Sequence, residues 1–280
     1  MSNYTHETVP TKSIEAHGVR YAYRRFGKVG KTPILFLGYF NSNMDAWDPS
    51  VTNNLAKDYE LILFDSAGVG DSGGQTPPTV VEMTEDCFAF CRALGLKAVD
   101  VVGFSLGGMI AQQMALDHPE LVRRLILLGA GPRGGEGMTF TELSPEEQAD
   151  PVGFLLAAFF APTETSQLAG RQYLKRIAAR KDNRDKPVSR NSAVAQLAAV
   201  REWGTIPKTG RFSTLKKIIQ PTLIVHGNKD IVVMPVNALI LAEHLPNATL
   251  IVYSDSSHGA QYQHAKVFLE HVRLFLNEGN

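Results

Sequence analysis

The sequence has few cysteines, no excess of charge of either sign and no long apolar run. Its 280 residues include 28 basic and 28 acidic side chains, so the formal net charge is zero. Without a basic excess or a run of like charge, we expect no nucleic-acid partner and no attachment to a membrane surface. The longest apolar stretches, such as residues 154–161, are far shorter than the roughly 20 residues that a bilayer-spanning helix needs.

The two cysteines, Cys87 and Cys91, lie four residues apart in a helical pattern and therefore face the same side as core residues. We predict buried free thiols rather than a disulfide or a metal pair, which suits a reducing compartment. The first twenty residues are polar and lack the apolar core of a secretory signal, so we expect a cytoplasmic protein. No other histidine or cysteine pair has ligand spacing, and we expect neither a metal nor another cofactor.

Short apolar runs alternate with helical patterns along most of the chain. Continuous apolar runs of this kind are typical of strands that are buried on both faces of a parallel sheet. An alternating residue pattern around 12–26 adds a predicted antiparallel hairpin. The sequence therefore predicts an α/β fold with an eight-stranded, mostly parallel sheet and helices on both faces. The runs are residues 33–37, 61–64, 99–102, 125–128, 221–225 and 249–253.

The alternation stops between residues 131 and 216, where no buried-strand pattern occurs and the segments between proline and glycine breakers are helical. We interpret residues 132–216 as an inserted helical cap on a core formed by residues 1–131 and 217–280. Its aromatic residues include Phe159, Phe160 and Trp203.

Residues 103–107, Gly-Phe-Ser-Leu-Gly, end a strand pattern and lead directly into helical spacing. The sharp turn needs glycine two places before and two places after Ser105, because both positions press against neighbouring backbone. The serine hydroxyl then lies beside a helix N-terminus, whose free N–H groups suit a developing negative charge. We predict that Ser105 is a nucleophile.

A serine nucleophile needs a base within hydrogen-bond reach, and the base needs an acceptor that orients it. Asp230 ends the motif Gly-Asn-Lys-Asp after one predicted strand, and His258 follows the next strand. Both residues thus fall at the sheet edge where ligands bind in open α/β folds. We predict that His258 is the base and Asp230 its acceptor. Asp255 is the alternative acid but fits a turn former better, and His226 is interpreted as a packing residue.

The order of these residues along the chain, Ser, Asp, His, is that of the α/β-hydrolase family, which the sequence resembles over residues 13–276. The loop Asp-Ser-Ala-Gly-Val-Gly-Asp-Ser at 65–72 is similar to a loop of that family. The resemblance implies an oxyanion hole formed by the main-chain N–H of Leu106 and by that of Tyr39, in the loop after residues 33–37. Many family members have histidine before the glycine of that loop, whereas this chain has Leu37.

The resemblance is strongest to the branch that contains small cofactor-free esterases, lactonases and perhydrolases. It implies hydrolysis of an ester or lactone of a small, largely apolar molecule. We expect the protein to be a monomer or a homodimer. Phe40, Phe159, Phe160 and Trp203 are predicted substrate contacts. The same three polar residues would also serve perhydrolysis, acyl transfer or carbon–carbon bond hydrolysis, and a receptor with little turnover is the alternative of another class.

Overall fold

Eight strands form one sheet in the computed structural model, which describes residues 4–140 and 144–277. Their spatial order is β1-β2-β4-β3-β5-β6-β7-β8. Within the described chain only β2 runs against the others, because it pairs antiparallel with both β1 and β4 while all the remaining pairs are parallel. The predicted sheet is confirmed. The strands are β1 (Lys12–Ala16), β2 (Val19–Gly27), β3 (Ile34–Leu37), β4 (Glu60–Phe64), β5 (Val99–Phe104), β6 (Val122–Leu128), β7 (Thr222–Gly227) and β8 (Ala248–Tyr253).

Helices cover both faces of the sheet. One face packs on α2, α3 and α8 and the other on α1 and α10, and each face forms its own apolar cluster. Cys87 and Cys91 lie in the first cluster as buried free thiols, as predicted. None of the described helices is long and apolar enough to cross a membrane. The helices are α1 (Pro49–Leu55), α2 (Val80–Ala93), α3 (Leu106–Asp117), α4 (Pro145–Ala149), α5 (Pro151–Phe159), α6 (Glu164–Ile177), α7 (Arg190–Gly204), α8 (Val236–His244), α9 (Ala260–Gln263) and α10 (Ala265–Asn277).

The helices α4 to α7 form the insertion between β6 and β7. The insertion is bonded to loops that follow the carboxyl ends of the strands. Ser192 Oγ donates to the carbonyl of Gly68 after β4, and Tyr173 Oη donates to the carbonyl of Ala46 after β3. The helical insertion therefore lies over the carboxyl edge of the sheet.

A buried ion cluster ties the insertion to the sheet. The guanidinium of Arg24, in β2, bonds Asp45 at 2.6 Å and Asp185, which precedes α7, at 2.9 Å. All three side chains are almost completely buried, so the carboxylates are balanced by protein cations rather than by water, and Arg180 and Arg184 also lie 3.8 and 3.7 Å from Asp45.

Candidate active site

Ser105 stands on a sharp turn between β5 and α3 and has a φ of 53°, in the left-handed region that non-glycine residues rarely adopt. A Cβ on Gly103 would lie 2.4 Å from the carbonyl oxygen of Gly107, and a Cβ on Gly107 would lie 2.0 Å from that of Leu37. Glycine is therefore required on both sides of the serine, as the motif predicted. The N–H of Ser105 donates to the carbonyl of Leu128, which attaches the turn to β6.

His258 and Asp230 meet at the same edge of the sheet. Nδ1 of His258 donates to Oδ2 of Asp230 at 2.8 Å, and both side chains are almost completely buried. Asp255, the alternative acid, instead accepts a hydrogen bond from Thr163 Oγ1 and has a φ of 52° in a turn. The structure thus pairs His258 with Asp230.

The Asp230 carboxylate is surrounded by hydrogen-bond donors. Its Oδ1 accepts the main-chain N–H groups of Val232 and Val233 at 2.8 and 2.9 Å. Burial alone would raise the pKa of Asp230, but attraction to His258 and hydrogen bonds from His226 and His258 outweigh it and hold this pKa well below its ordinary value. The carboxylate is therefore ionised and fixes the His258 ring with Nε2 free to accept a proton.

The imidazole of His258 lies against the end of β5, which leads into Ser105, and against the end of the neighbouring strand β6. Its ring centroid is 4.9 Å from that of Phe104, the residue before the serine, and a Cβ on Gly129 would lie 2.9 Å from its Nδ1. Among the described residues, no hydrogen bond joins the Ser105 hydroxyl to His258. Catalytic hydrogen bonds are often long in a ligand-free site and shorten when substrate binds.

Two main-chain N–H groups near Ser105 are left without an acceptor in the part of the chain that the structure describes. Leu106 is the first residue of α3, so its N–H has no partner within the helix, and the N–H of Tyr39 donates to no other group. The close approach of Gly107 to the Leu37 and Gly38 carbonyls brings the two peptide segments together. Such a pair of donors can bind a negatively charged oxygen.

Aromatic rings surround the His258 side of the site. The Phe159 ring, at the end of α5, lies 5.6 Å from that of His258 and 5.0 Å from that of Tyr39. The hydroxyls of Tyr39 and Tyr173 are 3.3 Å apart, and burial raises the pKa of Tyr39 to about 12, which keeps the phenol neutral. Substrate next to His258 would therefore contact an uncharged, largely apolar wall.

The other predicted substrate contacts occupy different surroundings from the Phe159 ring, which faces His258. Phe160 is buried inside the insertion, where a Cβ on Gly170 of α6 would touch its ring. Trp203 is buried with its indole N–H donating to the carbonyl of Gly131 and the Arg133 guanidinium 4.5 Å from its ring centre. Phe40 is half-buried in the loop after β3. Of the four aromatic residues, Phe159 alone has a described ring contact with His258.

Two contacts to the site were not foreseen from the sequence. Nε2 of His226, which was expected only to pack, lies 3.2 Å from Oδ2 of Asp230. Oε1 of Gln196, in α7, accepts the N–H of Asn41 in the loop that carries Tyr39. The position of His226 at a strand end, four residues before Asp230, is a local signal, but Gln196 is 155 residues from its partner and no local pattern indicates it.

The loop that carries His258 is also bonded to the insertion. The carbonyl of Ala158, in α5, accepts Ser257 Oγ at 2.7 Å and the N–H of His258 at 3.3 Å. The carbonyl of Phe159 accepts the N–H of Gly259 at 2.8 Å. The end of α5 therefore helps to fix the position of the imidazole.

Comparison with known proteins identifies the family. The profile of the alpha/beta hydrolase fold matches residues 32–265. A 2-hydroxymuconate semialdehyde hydrolase of Pseudomonas putida is 30% identical over 205 residues, which cover 70% of this chain and 68% of that protein.

Solved structures agree with this match. An alpha/beta hydrolase fold protein from Chitinophaga pinensis is 37% identical with a TM-score of 0.91, covering 98% of this chain and all of that one. Est816, described as an N-acyl homoserine lactone degrading enzyme, is 29% identical with a TM-score of 0.72, covering 94% of this chain and 100% of that one. The chain belongs to the α/β-hydrolase family, and it is a hydrolase of that fold.

Proposed function

We propose that this hydrolase cleaves a carboxylic ester or lactone of a small, largely apolar molecule through an acyl-enzyme intermediate. The observation that carries the proposal is the buried hydrogen bond between His258 and Asp230 beside a serine on a strained turn. None of the three residues alone is diagnostic, but an oriented imidazole near a serine on a sharp strand-to-helix turn is the arrangement that nucleophilic acyl transfer requires.

In this proposal Ser105 Oγ attacks the substrate carbonyl while Nε2 of His258 takes the hydroxyl proton. Asp230 holds the Nδ1–H and stabilises the resulting imidazolium. The N–H groups of Leu106 and Tyr39 bind the oxyanion of the tetrahedral intermediate. Collapse of the intermediate breaks the bond to the leaving oxygen, which receives the proton from His258.

Water completes the reaction. His258 removes a proton from a water molecule, whose oxygen attacks the carbonyl of the acyl-serine. A second tetrahedral intermediate forms in the same oxyanion site, and its collapse releases the carboxylic acid and returns the proton to Ser105 Oγ. For a lactone, the two products are the two ends of one opened molecule.

The aromatic wall supports an apolar substrate, since Phe159, Phe104 and the neutral Tyr39 surround the base. We propose that residues 132–216 act as the cap that selects the substrate, with Phe159 as its principal contact. The similarity to Est816, described as acting on an acyl lactone, supports the ester or lactone class.

The second candidate is hydrolysis of a carbon–carbon bond by the same residues. The relative from Pseudomonas putida supports it, because the substrate in its name is a semialdehyde and not an ester. Both reactions would use Ser105, His258 and Asp230, so the substrate decides between them.

Turnover of a substrate panel tests the proposal. We expect hydrolysis of p-nitrophenyl acetate, butyrate and octanoate and of γ-lactones, and we expect Ser105→Ala to lower kcat by at least about 10³-fold without loss of folding. Ser50→Ala, in α1 and outside the site, is the matched control and should retain activity. A fluorophosphonate should label Ser105, as located by peptide mass spectrometry.

Three results would contradict the proposal. Full activity of Ser105→Ala would remove the nucleophile assignment. Turnover confined to carbon–carbon substrates would favour the second candidate. Shifts in melting temperature on addition of esters or lactones, without any turnover, would favour a receptor.

A further inference from the structure

The loop after β3, residues 38–43, is built around a tight turn. The carbonyl of Tyr39 accepts both the N–H and the hydroxyl of Ser42, at 3.2 and 2.6 Å. The third residue of this turn, Asn41, has a φ of 62°. Asparagine tolerates this left-handed conformation better than most residues, but an asparagine can equally adopt other conformations. The turn itself therefore leaves the orientation of the Phe40–Asn41 peptide weakly determined.

Gln196 supplies the missing constraint from the helical insertion. Its Oε1 accepts the N–H of Asn41 at 2.7 Å, and the residue is 5% exposed. Gln196 also lines a cavity of about 20 Å³ together with Tyr39 and Leu106, the two residues whose N–H groups lack acceptors. A residue of α7 thus fixes the Phe40–Asn41 peptide, two peptide units after the one that carries the Tyr39 N–H.

We propose that Gln196 is a positioning residue that holds the loop of residues 38–43 so that the Tyr39 N–H faces the oxyanion. The inference rests on the serine-hydrolase function proposed above. Gln196 does not contact the reacting atoms in this proposal. It acts through Asn41, and it is most important when charge develops on the substrate oxygen.

The reason is the geometric demand of an oxyanion donor. Such a donor must lie about 2.7–3.1 Å from the charged oxygen, and complete removal of one donor lowers kcat by about 10²–10³-fold. Without the Gln196 acceptor, the Phe40–Asn41 peptide can rotate and the turn can relax, so that Tyr39 occupies the productive position for only part of the time. Ground-state binding on the aromatic wall depends less on that position, because Phe104 and Phe159 form the rest of the wall and the Tyr39 hydroxyl keeps its contact with Tyr173.

Gln196→Met and Gln196→Asn test the proposal, because the first removes the acceptor and the second shortens the side chain. We expect both variants to lower kcat for p-nitrophenyl butyrate by about tenfold, with KM changed less than about threefold, as befits partial loss of an oxyanion donor. Phenylboronic acid, which forms a negatively charged tetrahedral adduct with an active-site serine, should bind about tenfold more weakly. Amide hydrogen exchange at Asn41 should become faster.

Gln220 is the matched control, since it is also 5% exposed and bonds main-chain carbonyls, those of Ala115 and Pro119, away from the loop. Gln220→Met and Gln220→Asn should keep kcat and boronate affinity within about twofold. Melting temperatures of all four variants establish that they are folded.

The outcomes separate this inference from the proposed function. If Ser105→Ala abolishes turnover but folded Gln196 variants keep wild-type kcat, the role of Gln196 is wrong and the hydrolase proposal stands. A fall in kcat with unchanged boronate affinity would also overturn it, because a merely structural defect would then explain the loss. If Ser105→Ala remains active, the hydrolase mechanism itself fails.

Discussion

Nε2 of His226 lies 3.2 Å from Oδ2 of Asp230, the oxygen that also accepts the His258 N–H, and 2.8 Å from the carbonyl of Val233. Both neighbours of this nitrogen are acceptors, so Nε2 must carry the hydrogen. His226 is completely buried, and its Nδ1 has no partner among the described residues. The carboxylate of Asp230 is thus held between two imidazoles.

Replacement of His226 by leucine and by glutamine distinguishes the effect of its hydrogen bonds from the effect of its packing. We expect His226→Leu to lower kcat/KM about tenfold, since it removes an N–H that lies 3.2 Å from the Asp230 carboxylate and helps to keep that group ionised and in place. It should also lower the free energy of unfolding, because the Val233 carbonyl loses its donor. His226→Gln retains an N–H near the position of Nε2 and should recover part of both losses, as measured by steady-state kinetics and urea unfolding. Equal activity of the Leu variant and the wild type would contradict this role.

Gly129 allows the imidazole of His258 to lie close to the end of β6. It has a φ of 50°, and a Cβ there would lie 2.9 Å from Nδ1 of His258. We expect Gly129→Ala to displace the ring and lower kcat by at least about tenfold, because a small misplacement of a catalytic group is costly. Gly95→Ala is the control, since Gly95 also has a positive φ of 69° but nothing within 4 Å of an added Cβ. The control should lose stability but keep its kcat.

Arg24 balances two carboxylates, on Asp45 and Asp185, within the protein. We expect Arg24→Met to lower the free energy of unfolding by about 3–5 kcal/mol, because the buried carboxylate of Asp185 loses its guanidinium partner, whereas Asp45 keeps Arg180 and Arg184 within 4 Å. Lys186, next to Asp185, is the control. Its side chain is three-quarters exposed and pairs with Asp71 at 3.1 Å, so Lys186→Met should cost at most about 1 kcal/mol. If urea unfolding gives similar losses in the free energy of unfolding for the two variants, the buried ion pairs of Arg24 are no more important for stability than an exposed pair.

His6 makes stability depend on pH. Burial, together with the positive charge of Arg24, lowers the pKa of His6 to about 4. The unfolded chain binds this proton near pH 6.5, so the free energy of unfolding falls as the pH drops from about 6.5 to about 4. The share due to His6 between pH 7 and pH 5 is about 2 kcal/mol.

Other groups change stability over the same range, so the variant His6→Asn is needed. Burial raises the pKa of Asp185 to about 6, which acts in the opposite direction because the folded protein then binds the proton more tightly. Urea unfolding at pH 7 and pH 5 should show a drop for the wild type that is about 2 kcal/mol larger than that for His6→Asn. The same drop in both proteins would mean that His6 is not the source.

The sheet and the positions of Ser105, Asp230 and His258 could be predicted because they depend on local patterns. Continuous apolar runs identified the strands, and each of the three polar residues lies in the segment that follows one of them. Parallel pairing then brings the three strand ends to one edge. The glycines around Ser105 could be predicted from the motif. Only the clash at Gly103 involves the same turn, whereas the clash at Gly107 involves the carbonyls of Leu37 and Gly38 after β3.

Contacts between distant segments could not be predicted in this way. Gln196 and Arg24 are joined to partners 155 and 161 residues away, and a single sequence contains no pattern that pairs them. Trp203 shows that the type of a residue does not by itself indicate its contacts. Its aromatic character suggested a substrate contact, yet packing against Gly131 and Arg133 satisfies both its ring and its N–H.

The end of α5 accepts three hydrogen bonds from the His258 loop, two at Ala158 and one at Phe159. This has a consequence for attempts to alter specificity by transplanting an insertion from a homologous protein. A foreign segment with an ideal binding surface but a different backbone path would lack the carbonyls that hold the His258 loop in place. A successful chimaera would therefore need to preserve this one helix terminus, whatever else it exchanged.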